Sequence, residues 1–389
     1  MPPQESVGTG VGTPPQEPVS PEPVEPFVPT RPLRAVVGAL IAVVAVGAAF
    51  YGYKLLRASL TPPAPAKTYV IGILYYPQQN DAVIAFQQNM ERLGYKEGVN
   101  VRYDLAKVSV GPTMIEEFTA AADRMITAQE DLIYATFENE TAIALQESKK
   151  YGSDVPIVFL TRFHDPVEYG LINSYKSSGN NATGIATNVS ETIGRTLGFL
   201  KEIRPNLKKL GVFSDGFMVG DIGGAYLIEL RKQAPKFGME VVEYKTSAPP
   251  GEAEAEFQRV AASIKPGDID GLFHIAGHFI GPQEALENEL ATRLKIPMSA
   301  PNEDLPNGGM FSYSDLASAA GEQAAVLADK IFKGAKPSDI PVEFNAKYEL
   351  TLVLGRARAA GITFPDSMLF IATNKYEDSS SFPEVLHER

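Results

Sequence analysis

The chain has 389 residues and a formal net charge of −12, with 44% hydrophobic and 21% charged residues. That balance supplies apolar mass for two cores, and the acidity without any Lys/Arg-rich run excludes a nucleic-acid binder. There is no cysteine, which excludes thiol catalysis, disulfides, cysteine-type zinc sites and a lipid-modified N-terminal cysteine.

Residues 1–32 are dense in Pro, Glu, Gly and Val and predict a disordered tail. GTGVG at 8–12 has no strand before it and no helix after it, so it is not a phosphate loop. AVVGALIAVVAVGAAFYGY, residues 35–53, carries no charge; as a helix it would span about 28 Å, close to the hydrocarbon thickness. Arg31 and Arg34 flank one end, and Phe50, Tyr51, Tyr53, Lys54 and Arg57 mark the other. The segment 33–57 therefore predicts a transmembrane helix. The stretch before it is too long for a typical cleaved signal. Cations on both sides leave its orientation undecided by charge. A Pro/Ala-rich linker occupies 58–67.

From Thr68 the pattern becomes that of an α/β protein. TYVIGILYY (68–76), NVRY (100–103), DLIYAT (131–136) and DVPIVFL (154–160) read as buried strands separated by helical segments. KKLGVFSD (208–215), MEVVEY (239–244), DIDGLFHIA (268–276) and LKIPMSAP (294–301) repeat that order. Ile71 and Leu210, like Asp131 and Asp270, are separated by 139 residues. Two tandem units of this kind predict two doubly wound, parallel-sheet lobes with a ligand cleft at the carboxyl ends of their strands.

The candidate chemistry lies in those strand-end loops. In TRFHDPVEYG (161–170), His164 and Asp165 are adjacent in sequence, a poor geometry for a base and its orienting carboxylate. The loop reads either as turn chemistry, with Asp165 capping the next segment, or as ligand contact. In ATFENETA (135–142), Glu138 and Glu140 suit a helix N-terminus, and Glu138 alternatively faces the cleft. YYPQQN (75–80) suits ligand stacking or ordinary packing equally. His274 and His278 share helical metal-ligand spacing, but on a strand they stand about 13 Å apart, too far to share an ion. No G-x-S-x-G, HExxH or Walker loop is present, so no catalytic residue, metal or cofactor is assigned. The sequons at Asn139, Asn181 and Asn188 are read as chance.

IGILYYPQQNDAVIAFQQNMERLGYKEGVNVRYD, SSGNNATGIA (177–186), DVPIVFLTRFHDPVEYGLI and KIFKGAKPSDIPVEFNAKYELTLVLGRARAAGI (330–362) carry a resemblance. From about Tyr69 to Ile362 the chain resembles the bacterial ABC-transporter substrate-binding family that includes the tryptophan/tyrosine-binding proteins. The resemblance implies the type I periplasmic binding protein fold, two Rossmann-like lobes closing on a ligand by hinge motion. It implies a first lobe over 68–192 plus 313–375, a second over 193–312, and a C-terminal tail over 376–389. Carried over, the ligand-binding residues are Tyr76, Gln78, Glu138, Asn139, His164, Asp165, Ser214, Asp215, His278, Asn302, Glu303 and Asp315.

The sequence also departs from the family's amino-acid binders. Glu138-Asn139 stands where they show Thr-Pro, Ala276-Gly277-His278 where they show Thr-Asp-Asn, and His164 where Thr is usual. A carboxylate at a helix N-terminus would repel an α-carboxylate, which argues against an ordinary zwitterionic amino acid. The expected function is a membrane-anchored, extracytoplasmic solute-binding protein. It would serve an ABC permease and ATPase by binding and closing, without catalysis. The alternative is a ligand-sensing ectodomain that signals to a membrane partner.

Overall fold

A computed structural model describes residues 39, 44–54, 67–109, 111–215, 222–247, 250–275 and 283–382. The chain divides into an N-terminal unit, Met1–Ala66, and a globular unit, Lys67–Arg389. In the first, residues 44–54 are helical. Among the described residues no helix is long and apolar enough to cross a membrane. Much of the expected 33–57 span, the 1–32 tail and nearly all of the 58–67 linker lie outside them.

The first lobe builds β1 (Tyr69–Tyr75), α1 (Asn80–Arg92), β2 (Val101–Lys107), α2 (Met114–Thr127), β3 (Leu132–Ala135), α3 (Glu138–Tyr151), β4 (Ile157–Thr161) and β5 (Ala182–Ala186). The second builds α4 (Val189–Ile203), β6 (Lys209–Asp215), α5 (Ile222–Gln233), β7 (Glu240–Thr246), α6 (Pro250–Ser263), β8 (Gly271–Phe273), α7 (Gln283–Leu294), β9 (Met298–Ser299) and β10 (Phe311–Asp315). The chain returns to the first lobe for α8 (Ala317–Phe332) and β11 (Glu343–Phe344). It ends in the second with β12 (Tyr348–Val353), α9 (Leu354–Ala359), α10 (Asp366–Ile371) and β13 (Asn374–Tyr376).

The first sheet runs β11-β5-β4-β3-β1-β2, and all its pairings are parallel. The second runs β13-β12-β10-β9-β8-β6-β7, parallel except where β12 lies antiparallel to β10. The repeat in the sequence is thus a repeat of strand order, β2-β1-β3-β4-β5 answered by β7-β6-β8-β9-β10. The strand starts match as well. Asp131 accepts the N–H of Val70 at 2.8 Å, and Asp270 accepts those of Lys208 and Lys209 at 2.9 Å. Each carboxylate locks the start of its lobe's leading strand to the strand beside it.

Helices cover both faces of the first sheet. Phe86 and Met90 of α1 meet Ala324 and Leu327 of α8 on one face, and Phe118 and Met125 of α2 fill the other. The α1–α8 approach is close because Gly321 has no side chain; a Cβ there would stand 2.1 Å from the carbonyl oxygen of Ala82. α3 ends at Gly152, whose left-handed φ of 59° a β-carbon would strain.

The expected lobe boundary needs correction. Residues 313–375 do not all belong to the first lobe, because β10, β12 and β13 pair within the second sheet. Only α8 to β11 returns. The apolar β12 extends the edge left by β10, whereas the first sheet's β5 edge is already covered by β11. Nor is 376–389 wholly a tail: Tyr376 ends β13, and Phe382 packs with Leu305 and Val353. SSGNNATGIA leads into β5 of the first sheet, and the crossing itself comes at Thr187-Asn188.

Candidate functional site

Residues just beyond β4, β5 and β9 and at the end of β10 line one narrow cavity between the lobes, among them Phe163, Thr187, Glu303 and Asp315. The strand carboxyl ends of both lobes therefore converge, as open α/β sheets require for ligand binding. Asp315 gathers the crossings. Its Oδ2 accepts from the Thr187 hydroxyl in the first crossing and from Nδ2 of Asn345 in the third, each at 3.0 Å. Asp315 itself opens the second crossing, where Leu316 N–H donates to the carbonyl of Lys347 at 3.0 Å.

Arg162, one residue beyond β4, reaches across from the first lobe. Its Nη1 lies 3.1 Å from Oε1 of Glu303 and its Nη2 lies 3.4 Å from Oδ1 of Asp315. The guanidinium is 9% exposed and the two carboxyl groups 13% and 7%, so the pairing is largely shielded from solvent screening. Beside it Phe163 meets Tyr226 of α5 edge-on at 5.8 Å, a second cross-lobe contact.

The loop that carries Arg162 is pinned from below. Glu138, fully buried at the start of α3, accepts the backbone N–H groups of Arg162, Phe163 and His164 at 2.7, 2.6 and 2.9 Å through one oxygen, Oε1. Asp165 then engages its own loop. Its Oδ1 accepts from the N–H groups of Val167 and Glu168, and its Oδ2 accepts from the Tyr175 hydroxyl at 2.8 Å. Arg162 and Phe163 form a waist with space on either side. One opening of about 350 Å³ is lined by His164, Asp165, Tyr169, Asn188 and Lys232. Another of about 450 Å³ is lined by Asp81, Arg162, Asn302, Glu303 and Glu349. Both are large enough for a small ligand.

Residues 67–376 match the family described as ABC transporter substrate binding protein. The chain belongs to that family. No curated protein matches the chain. Among solved structures it is similar to a conserved domain protein from Vibrio cholerae, at 22% identity and a TM-score of 0.64, covering 80% of this chain and 100% of that one. It is similar to the ligand-free, open form of a substrate binding protein with adhesive properties from Clostridium difficile, at 21% identity, a TM-score of 0.63 and the same coverage. It is also similar to an ABC domain in complex with L-Trp from Streptococcus pneumonia, at 18% identity and a TM-score of 0.62, covering 79% and 100%. At these identities the likeness is one of fold, the type I periplasmic-binding-protein architecture.

Within this family member the residues singled out in the sequence divide into groups. Glu303, Asp315, His164 and Glu138 gather around Arg162 and its loop. Asn302 stands next to them, its side-chain amide donating to Glu349 at 2.9 Å. Tyr76 is buried and stacks edge-on against Phe118 and Phe137, so it belongs to the first lobe's core. Gln78 is exposed, whereas the neighbouring Gln79 is 1% exposed. Asn139 accepts the Tyr169 hydroxyl at 2.9 Å. Ser214 donates to Glu243 on the adjacent strand. Asp215 ends β6, and His278 lies outside the described residues.

Glu138 contributes to the site by shaping backbone, since its fully buried carboxylate faces three N–H groups. Arg162, Phe163, Thr187 and Tyr226 are the residues that sequence reasoning missed. One signal was available. Arg162 is the only cation in TRFHDPVEYG and directly follows a buried apolar strand, a place where a charge needs a partner.

Burial sets the protonation of the surrounding groups. Glu140, buried beside Glu138, is pushed well above the usual carboxylate range by desolvation and by that neighbouring charge. Glu349 is raised by burial, against the hydrogen bonds of Asn374 and Asn302. In the second lobe His274 is fully buried. Burial opposes its charge, but Glu287 and Asp304 outweigh that and hold the imidazole well above its usual range.

Proposed function

We propose that this family member captures a small molecule between its lobes and delivers it to the permease and ATPase of an ABC importer. Its work is non-covalent binding and closure. The apolar segment 35–53 serves as a membrane tether that keeps the lobes outside the cytoplasmic membrane. The observation that carries this reading is the Arg162–Glu303 pair, which joins a strand-end loop of one lobe to that of the other. A contact of that kind forms and breaks as two lobes close and open.

The chemistry of the rim narrows the ligand. Asp81, Glu303, Asp315 and Glu349 line the larger opening, and Arg162, its cation, is already held by two carboxylates. Such a rim favours a neutral polar or cationic ligand over one with a free α-carboxylate. The test is thermal unfolding of the protein against amino acids, amines, nucleosides and hydroxylated aromatics. A saturable rise in melting temperature with an amine or neutral compound supports the reading; a response to acidic compounds alone removes the charge argument.

A further inference from the structure

His274 lies just beyond β8 in the second lobe and is 1% exposed. Its Nδ1 stands 3.1 Å from Oε2 of Glu287, an α7 residue that is also 1% exposed. That contact orients the ring and turns Nε2 toward two further carboxylates. Oε1 of Glu284 is 3.7 Å away and Oδ2 of Asp304 is 3.5 Å away. These separations are long for direct hydrogen bonds. They suit donors arranged around an ion, since tetrahedral bonds of about 2.1 Å place neighbouring ligand atoms about 3.4 Å apart. One donor atom from each of His274, Glu284 and Asp304 lies within 4.8 Å of the others.

Charge and satisfaction point the same way. Three acidic side chains surround one imidazole, so the cluster offers more carboxyl oxygens than the ring's two nitrogens can pair. Oε2 of Glu284, Oε1 of Glu287 and Oδ2 of Asp304 are buried with no hydrogen-bond partner among the described residues. Buried unpaired carboxylate oxygens are costly unless a cation answers them, and one imidazole ring cannot answer all of these. An imidazole ligand whose other ring nitrogen is held by a carboxylate is also the arrangement that metal-binding histidines use.

We propose that His274, Glu284 and Asp304 form a site for a first-row divalent cation such as Zn²⁺, with Glu287 as the positioning residue for the imidazole. The mixed nitrogen and oxygen donors favour such an ion over Mg²⁺ or Ca²⁺, which take oxygen ligands. The ion would join the end of β8, the start of α7 and the loop after β9. Asp304 directly follows Glu303, so the cation also fixes the second lobe's arm of the cross-lobe pair.

The test is metal binding by the full chain after stripping with a chelator, read by calorimetry with ZnCl₂ and by thermal unfolding. The parent should bind one Zn²⁺ per chain with a rise in melting temperature, and MgCl₂ should produce neither. His274→Gln and Asp304→Asn should each weaken binding at least about 100-fold, and Glu287→Gln about 10- to 100-fold. Asp304 is a partly exposed loop residue, so its variant remains informative should His274→Gln fail to fold. No equimolar Zn²⁺ binding by the parent, equal affinity for Mg²⁺, or parental affinity in a folded Asp304→Asn would overturn the proposal.

Discussion

Arg162 of the first lobe and Asp315 at the second crossing meet at 3.4 Å in a largely buried ion pair. The same carboxyl group accepts from Thr187 and Asn345, so a single side chain ties three crossing segments to the loop after β4. Lobe position and cleft chemistry thereby depend on the same atoms.

Removing the cation leaves Glu303 and Asp315 without their shared partner. Breaking one side of a buried pair costs about 3 kcal/mol or more. Arg162→Met should therefore lower the urea midpoint and enlarge the radius of gyration seen by solution scattering. An unchanged radius would mean that the pair does not hold the lobes together.

The loop after β4 depends on Glu138. Glu138→Gln keeps an acceptor for the three N–H groups but removes its charge, and charge-assisted hydrogen bonds are about twice as strong as neutral ones. A loss of roughly 2 kcal/mol is expected, with faster amide exchange at Arg162, Phe163 and His164. Exchange that stays at the parental rate would contradict the pinning role.

Glu130, 6% exposed next to β3, is raised by burial from its ordinary value of 4.5 to about 7, against the opposing pull of Arg124 and Arg102. The folded state thus holds this proton more tightly than the unfolded state. Its contribution favours folding fully below pH 4.5 and is lost as pH rises through 7. Glu130→Gln should flatten that part of the stability–pH curve, a difference on the order of 2 kcal/mol between pH 5 and pH 8. Parallel curves for parent and variant would contradict the assignment.

The α1–α8 packing makes a sharper steric prediction. A β-carbon at position 321 would meet the backbone oxygen of Ala82, which cannot rotate away. Gly321→Val should cost about 2 kcal/mol or more through overpacking, seen as a lowered melting temperature; a neutral result would mean that the helices slide apart freely.

Much of this fold was legible in the sequence because buried parallel strands are short apolar runs. β1, β3, β4 and their counterparts in the second lobe could be found by eye, and the separation of 139 residues revealed the repeat. The last crossing was not legible. β12 is an apolar strand that suits either sheet, and its choice rests on the β10 edge, a tertiary fact. The site was half legible for the same reason. Glu303 and Asp315 were named only through the family resemblance, and their partner Arg162 lies 141 and 153 residues away in sequence. Glu138 was singled out for the right loop, while its burial depended on three N–H groups that no local pattern displays.

Ligand capture between the lobes is tested by calorimetry of the parent protein with the small-molecule panel, followed by recovery of the ligand. Capture between the lobes predicts saturable one-to-one binding, a melting temperature raised by a few degrees at excess ligand, and return of the ligand unaltered. Binding to no compound in a broad panel, or recovery of a chemically changed one, would contradict it.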